Sequence, residues 1–255
     1  MLSLFSNITS FPIMKTNNKH LTVYKPKIDT IHEINTKRDK ETNCVVFFTG
    51  GSNAIPPHIY SDFIDTFTKK NISVYIPCFR HKHMKCLLNV LHNKYKQVVL
   101  IGHSSGCTTL LNHCKEEFIE RIILIDPVNT NILNPNKYFV LPFVKKLMFI
   151  HAQKSYKINR DPFGLPFIPF LKIRQDRIYG KQLNRILKLT YHEYGHSDIL
   201  NPVYSNIMHF TRITVGNKKR TESNLLMYHE QVVSRIKQFI DHEEIHYTTS
   251  HLQNR

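Results

Sequence analysis

Cys44 to Phe48, Val98 to Ile101, Ile122 to Ile125 and Leu147 to Ile150 are unbroken apolar runs of four or five residues. Runs this short and this uniformly apolar suit strands buried on both faces of a sheet. Between them lie segments with helical spacing. Ile59, Phe63, Ile64 and Phe67 recur on one face of a helix, and Met84 to Leu91 and Thr108 to Phe118 read as two further helices. Ile72 to Ile76 and Leu187 to Tyr191 add strands, and Leu225, Leu226, Val232, Val233, Ile236, Phe239 and Ile240 form the stripe of a closing helix. Parallel neighbours need a crossover connection, so strand and helix in alternation predict an α/β fold: a mostly parallel central sheet flanked by helices. Two short segments, Leu21 to Tyr24 and Thr30 to Ile34, followed by a charged turn at Lys37 to Glu41, predict an N-terminal edge hairpin. No repeat at solenoid spacing is present.

The chain of 255 residues carries no Gly/Ser/Pro-rich linker and is long enough for one sizeable core. A single domain over 1–255 is expected, with its core at about 44–242 and flexible tails at 1–19 and 243–255. Its 41% hydrophobic and 21% charged residues are a globular composition, and no apolar run approaches the ~20 residues of a membrane span. The start, MLSLFSNITSFPIMK, has no basic residue ahead of its apolar stretch and no small-residue cleavage site. A cytoplasmic location is expected. Five cysteines without paired spacing suit free thiols rather than a disulfide framework or a zinc knuckle.

A formal charge of +16 would suit an anionic partner, such as a membrane surface touched peripherally or a nucleic acid. The basic residues are scattered and no nucleic-acid-binding motif is recognisable, so nucleic acid is not the expected partner. Lysine, asparagine and isoleucine are plentiful while alanine occurs only at positions 54 and 152, a bias that coding composition alone would produce.

Val98 to Leu111, VVLIGHSSGCTTLL, reads as strand, sharp turn and helix. Gly102 and Gly106 flank Ser104 in the G-x-S-x-G spacing, where a strained turn lifts a serine hydroxyl above the sheet edge and the next backbone N–H faces an oxyanion. Such a serine is a nucleophile only if a base takes its proton and an acid orients that base; otherwise it is a serine in a tight turn. Asp126 ends the apolar run Ile122 to Ile125 and precedes Pro127, which biases it toward an extended conformation; Asp161 is the rival acid, and Asp126 could equally cap an Asp-Pro turn. His196 follows the last strand after a glycine turn, the place expected of the base, although with sixteen histidines in the chain a loop-anchoring role stands beside it. Asp198 is expected to cap a helix beginning near Ile199.

His192-Glu-Tyr-Gly-His196 also spells H-E-x-x-H, a zinc motif that works only on a helix. The preceding residues favour a strand and Gly195 weakens a helix, so no metal and no other cofactor is expected. Ser105 N–H and a backbone N–H of Thr49-Gly50-Gly51-Ser52, with Gly51 first, are the expected oxyanion donors, although a Gly-Gly pair also makes a plain turn. The loop Asp161-Pro-Phe-Gly-Leu-Pro-Phe-Ile-Pro-Phe-Leu171 holds Phe163, Phe167 and Phe170, which either wall an apolar substrate pocket or pack onto the body.

Gly-His-Ser-Ser-Gly at 102–106, Ile-Asp-Pro-Val at 125–128 and Tyr-Gly-His-Ser-Asp-Ile-Leu at 194–200 together resemble the α/β-hydrolase superfamily over about Cys44 to Ile240, and within it the chlorophyllase-like lipase/esterase group. The resemblance implies an α/β-hydrolase fold and a serine esterase whose serine, acid and base fall on Ser104, Asp126 and His196; it favours Asp126 over Asp161. Ser105, Cys107 and Thr49 depart from the group, where arginine, a second glycine and a histidine are usual, so a chlorophyll substrate does not follow. The expected substrate is a small-molecule or lipid ester. An idle binding scaffold, an acyltransferase or a thioesterase would carry the same residues. Oligomeric state is not legible.

Overall fold

The computed structural model describes residues 21–24, 41–77, 84–130, 134, 136–156, 172–210 and 221–241. The strands are β1 (Leu21–Tyr24), β2 (Glu41–Phe48), β3 (Ser73–Pro77), β4 (Tyr95–His103), β5 (Arg121–Ile125), β6 (Phe139–Val140), β7 (Lys146–Ala152), β8 (Ile178–Tyr179) and β9 (Arg185–Tyr191). The helices are α1 (Ser61–Lys69), α2 (Met84–Lys94), α3 (Gly106–His113), α4 (Pro202–Phe210) and α5 (Glu222–Asp241).

Seven strands form one sheet in the order β1-β3-β2-β4-β5-β7-β9. All neighbours are parallel except β1, which runs antiparallel along β3 with Leu21 opposite Pro77. This is an α/β-hydrolase fold, a mostly parallel sheet covered by helices on both faces. Because successive residues of a strand point to opposite faces, each apolar run feeds two cores. Val98 and Leu100 of β4 meet Leu88 of α2 and Leu110 of α3 on one face. Val99 and Ile101 meet Phe63 and Phe67 of α1 and Val232 and Ile236 of α5 on the other.

The chain runs from β2 outward to β3, then returns across β2 to β4 on its other side. Consecutive strands therefore leave β2 in opposite directions, and a crevice opens between the carboxyl ends of β2 and β4. The turn after β2 holds Gly50 and Gly51, and the turn after β4 holds Ser104. The chain order thus places two of the expected site segments side by side.

Several expectations change in detail. The edge strand at Leu21–Tyr24 pairs with β3, while Thr30 to Ile34 lie outside the described residues. The helix expected at Thr108 to Phe118 begins at Gly106 and ends at His113, with Cys114 already non-helical. Glu116 and Glu117 would have lain against the negative end of a longer helix dipole. The two-residue strands β6 and β8, paired in a separate sheet, are too short to leave a periodic signal. Among the described residues no helix is long and apolar enough to cross a membrane.

Leu100 is fully buried in the middle of the sheet, whereas Val140 is 66% exposed. Leu100→Ala is expected to lower unfolding stability by about 2–5 kcal/mol, and Val140→Ala to change it by less than about 0.5 kcal/mol, both read from urea unfolding curves.

Candidate active site

Ser104 sits at the first turn beyond β4 with φ 55°, a left-handed conformation that a serine rarely adopts. Three backbone bonds hold it there: its N–H donates to Ile125 C=O (2.9 Å), and its C=O accepts from Cys107 N–H (3.1 Å) and Val128 N–H (3.0 Å). The flanking glycines are required by close approach. A Cβ on Gly106 would lie 2.4 Å from the carbonyl oxygens of Phe48 and Thr49, and one on Gly102 would lie 2.8 Å from Cys107 Cα. The elbow is therefore packed backbone against backbone onto the end of β2. Cys107 is fully buried, and burial pushes its thiol pKa up, which suits packing rather than reaction.

His196 opens a 3-10 turn, His196–Ile199, and its Nε2 lies 2.8 Å from Ser104 Oγ. Its Nδ1 is buried without a hydrogen bond and faces Asp126 Oδ2 at 3.8 Å. Asp126, 3% exposed, accepts from Ala152 N–H at Oδ1 (2.8 Å) and from the Ser155 hydroxyl at Oδ2 (2.8 Å). Burial alone would raise its pKa; the His196 imidazole and the Ala152 N–H outweigh it and hold the carboxyl below the ordinary range. Asp126 has φ 42° rather than the extended conformation expected before proline. Its N–H continues the ladder to Ile150 C=O (2.8 Å), and these bonds offset the strain.

The turn carrying His196 is gripped from several sides. Asp198 does not cap α4: its Oδ2 accepts from Gly195 N–H (2.8 Å) and its Oδ1 from the Ser205 hydroxyl (3.1 Å). The helix starts later, at Pro202, and Asn201 Oδ1 takes the Tyr204 N–H (3.1 Å). From α5, buried His229 Nε2 donates to Asp198 C=O (2.9 Å).

Beneath the site lies a chain of polar groups that sequence reasoning missed. His103 Nε2 is 3.1 Å from His196 C=O, and His103 Nδ1 is 2.8 Å from the Tyr60 hydroxyl, which is 2.9 Å from Gly50 N–H. A carbonyl only accepts, so Nε2 carries the proton; Nδ1 then accepts from Tyr60 O–H, whose oxygen accepts from Gly50 N–H. Burial, and then neighbouring His196, push His103 down to about 3, which keeps it neutral, and burial pushes Tyr60 up, which keeps it a donor. His103 stands inside the elbow motif, but nothing local in the sequence marks Tyr60.

The glycine turn after β2 has left-handed φ at Gly51 (60°), Ser52 (54°) and Asn53 (70°). Ser52 N–H donates to Ser105 Oγ (2.8 Å) and Asn53 N–H to Thr49 C=O (3.1 Å). Gly50 is the glycine next to Ser104, but its N–H is committed to Tyr60. Thr49 turns its hydroxyl to Ile55 C=O (2.9 Å).

Of the expected site residues, Ser104, Asp126 and His196 come together, with Gly50 rather than Gly51 the glycine against Ser104, while Phe163, Phe167, Phe170 and the rival Asp161 lie outside the described residues. The two histidines of H-E-x-x-H diverge: His192 is exposed and bonds Gln153 Oε1 (2.6 Å), while His196 faces Ser104. Potential ligand atoms of His103, Asp126 and His196 lie within 4.8 Å of one another. Both ring nitrogens of His103 are already engaged, however, so that imidazole offers no lone pair to a cation.

No protein-family model matches the chain, and no curated protein matches it. Among solved structures it is similar to a puromycin-hydrolysing peptidase from Mycobacterium tuberculosis, at 10% identity and TM-score 0.50, covering 88% of this chain and 37% of that one. It is also similar to the esterase domain of a Rhodothermus marinus protein, at 10% identity and TM-score 0.48, covering 86% and 92%. Alpha/beta hydrolase domain-containing protein 10 from mouse shows 9% identity and TM-score 0.47, covering 91% and 100%. At these identities the likeness is one of fold.

Neutral buried histidines make stability depend on pH. His103 is pushed down to about 3 and His229 to about 4, each chiefly by burial, from the ordinary 6.5. Below pH 6.5 the unfolded chain takes up protons that the folded chain refuses, so each such histidine lowers stability by up to about 1.4 kcal/mol per pH unit as pH falls toward 4. The stability that Asp126 contributes is present above the unfolded carboxyl pKa and is lost at still lower pH, as its depressed folded pKa is crossed. Urea unfolding of wild type and His103→Gln between pH 7 and 4.5 is expected to show a shallower decline in the variant. Equal slopes would contradict a neutral His103.

Proposed function

We propose that this chain is a serine hydrolase that cleaves carboxylic esters through an acyl-enzyme. The observation that carries the proposal is Ser104, strained at φ 55° at the carboxyl end of β4, with its Oγ 2.8 Å from His196 Nε2. The other imidazole nitrogen has a buried carboxylate as its nearest acid. In this reading Ser104 Oγ attacks the ester carbonyl carbon while His196 Nε2 takes the hydroxyl proton. The imidazolium so formed is stabilised by the charge of Asp126; the 3.8 Å approach is of the loose kind common before substrate binds. His196 then passes the proton to the departing alkoxide, leaving an acyl-serine. Water attacks that acyl group, gives its proton to His196, and the acid departs as Ser104 recovers its proton.

The developing oxyanion is assigned to Ser105 N–H and Gly51 N–H. Ser105 Oγ, by accepting from Ser52 N–H, ties the glycine turn to the elbow and so sets the two donors relative to each other. An apolar acyl or alcohol group is supported by α4, which follows directly on the His196 turn. Val203, Ile207 and Phe210, spaced as one helical face, are 65%, 50% and 88% exposed. With the net charge of +16, that face suits a lipid-like substrate met at an anionic membrane surface.

Purified protein with short- and medium-chain nitrophenyl esters and a fluorophosphonate reagent tests this reading against Ser104→Ala, with and without chelator. The expected result is labelling and turnover that survive chelation and fall by roughly ten-thousandfold or more in the variant. A wild-type protein that neither labels nor turns over would instead identify a binding scaffold.

A further inference from the structure

Beyond β7 the chain enters a 3-10 turn, Gln153–Tyr156, that meets both the acid and the approach to the base. On one side, Ala152 N–H donates to Asp126 Oδ1 and the Ser155 hydroxyl donates to Asp126 Oδ2, each at 2.8 Å. On the other, the turn is joined to the residues that lead into His196. Lys154 N–H donates to Tyr194 C=O (2.9 Å), Lys154 Nζ pairs with Glu193 Oε2 (2.9 Å), and Gln153 Oε1 meets His192 Nδ1 (2.6 Å). The end of β7 therefore holds the segments of acid and base together, and Ser155 is the residue whose side chain reaches the acid itself.

Asp126 is 3% exposed, so its charge depends on donors inside the protein. Ser155, 6% exposed, is shut away with it. At 3.8 Å, His196 Nδ1 is too far from Oδ2 for a hydrogen bond, and that nitrogen has no other partner among the described residues. Ser155 thus holds the same carboxylate oxygen that must receive His196 Nδ1–H when the imidazolium forms. A carboxylate oxygen offers two lone pairs; Ser155 takes one on Oδ2 and leaves the other for the imidazole. Satisfying a buried carboxylate is a duty that a second backbone N–H would meet as well. A donor placed on the oxygen that faces the base has a further consequence, because it fixes the rotation of the carboxylate toward Nδ1.

We propose that Ser155 is a positioning residue of the reaction, its hydroxyl fixing the Asp126 carboxylate so that Oδ2 stays directed at His196 Nδ1. The inference rests on the hydrolase reading of Ser104. Ser155 acts through Asp126, and through it on the imidazolium that forms as Ser104 Oγ attacks. Without the hydroxyl the carboxylate keeps only its bond to Ala152 N–H, is free to swing about that contact, and no longer presents an aligned charge to the imidazolium.

The test is a double-mutant cycle on the full chain: wild type, Ser155→Ala, Asp126→Asn and Ser155→Ala/Asp126→Asn, read as the second-order rate of fluorophosphonate labelling at Ser104. Ser155→Ala is expected to slow labelling roughly tenfold or more, the worth of a hydrogen bond to a charged group. Once Asp126→Asn is present, it should change the rate by less than about twofold. Ser155→Cys, which keeps the volume but offers a weaker donor, should fall between wild type and Ser155→Ala, and it carries the same cycle should Ser155→Ala not fold. Equal slowing in both backgrounds would assign Ser155 a structural role in the turn and overturn the proposal, as would labelling of Ser155→Ala at the wild-type rate. A wild type that does not label removes the hydrolase reading and this inference with it, whereas a labelling wild type indifferent to Ser155 removes this inference alone.

Discussion

A carbonyl oxygen can only accept, and the carbonyl of His196 takes its hydrogen bond from His103; with His103 kept neutral by burial, the direction of every other bond in the buried chain follows. Its free ring nitrogen accepts, so Tyr60 donates to His103 and Gly50 donates to Tyr60. Four segments are tied by these bonds: the turn after β2, the turn at Tyr60 that leads into α1, the end of β4 and the turn that presents His196. In a buried setting each link left unmade would leave a polar group without water, at a cost of about 1–3 kcal/mol. The chain therefore acts as an alignment device, holding the glycine turn and the imidazole in register on opposite sides of Ser104.

That alignment is possible because the sheet reverses its order at β2. The turns after β2 and β4 emerge next to each other, and the absence of side chains at Gly102 and Gly106 lets their backbones touch. Left-handed strain accumulates at this seam, at Ser104, Ser52, Asn53 and Asp126. Ser104, Ser52 and Asp126 are each held by a bond to a different strand or turn, so none of these three can relax without moving its neighbours.

The electrostatics of the site are of a kind that the overall charge of +16 does not foretell. Around Ser104 burial keeps His103 uncharged, and the buried carboxylate of Asp126 places negative potential behind the His196 imidazole.

Short apolar runs alternating with helical segments determined the sheet, because burial on both faces and the need for crossovers leave few other ways to pair such strands. The spacing of Gly102, Ser104 and Gly106 marked the elbow, although the contact that forbids a side chain at Gly106, with the end of β2, is made only in the folded sheet. The sequence also placed Asp126 and His196 at strand ends, but a helix boundary such as His113 depended on where packing stopped, and β6 and β8 on a pairing between distant segments. The places of Tyr60 and Ser155 in the site were decided by the tertiary structure alone. Tyr60 meets a partner 43 residues away, and His196 meets Ser104 across 92 residues. Local periodicity carries no record of such meetings, because they exist only once the strand order has brought the ends of β2, β4, β5 and β7 to the same side of the sheet.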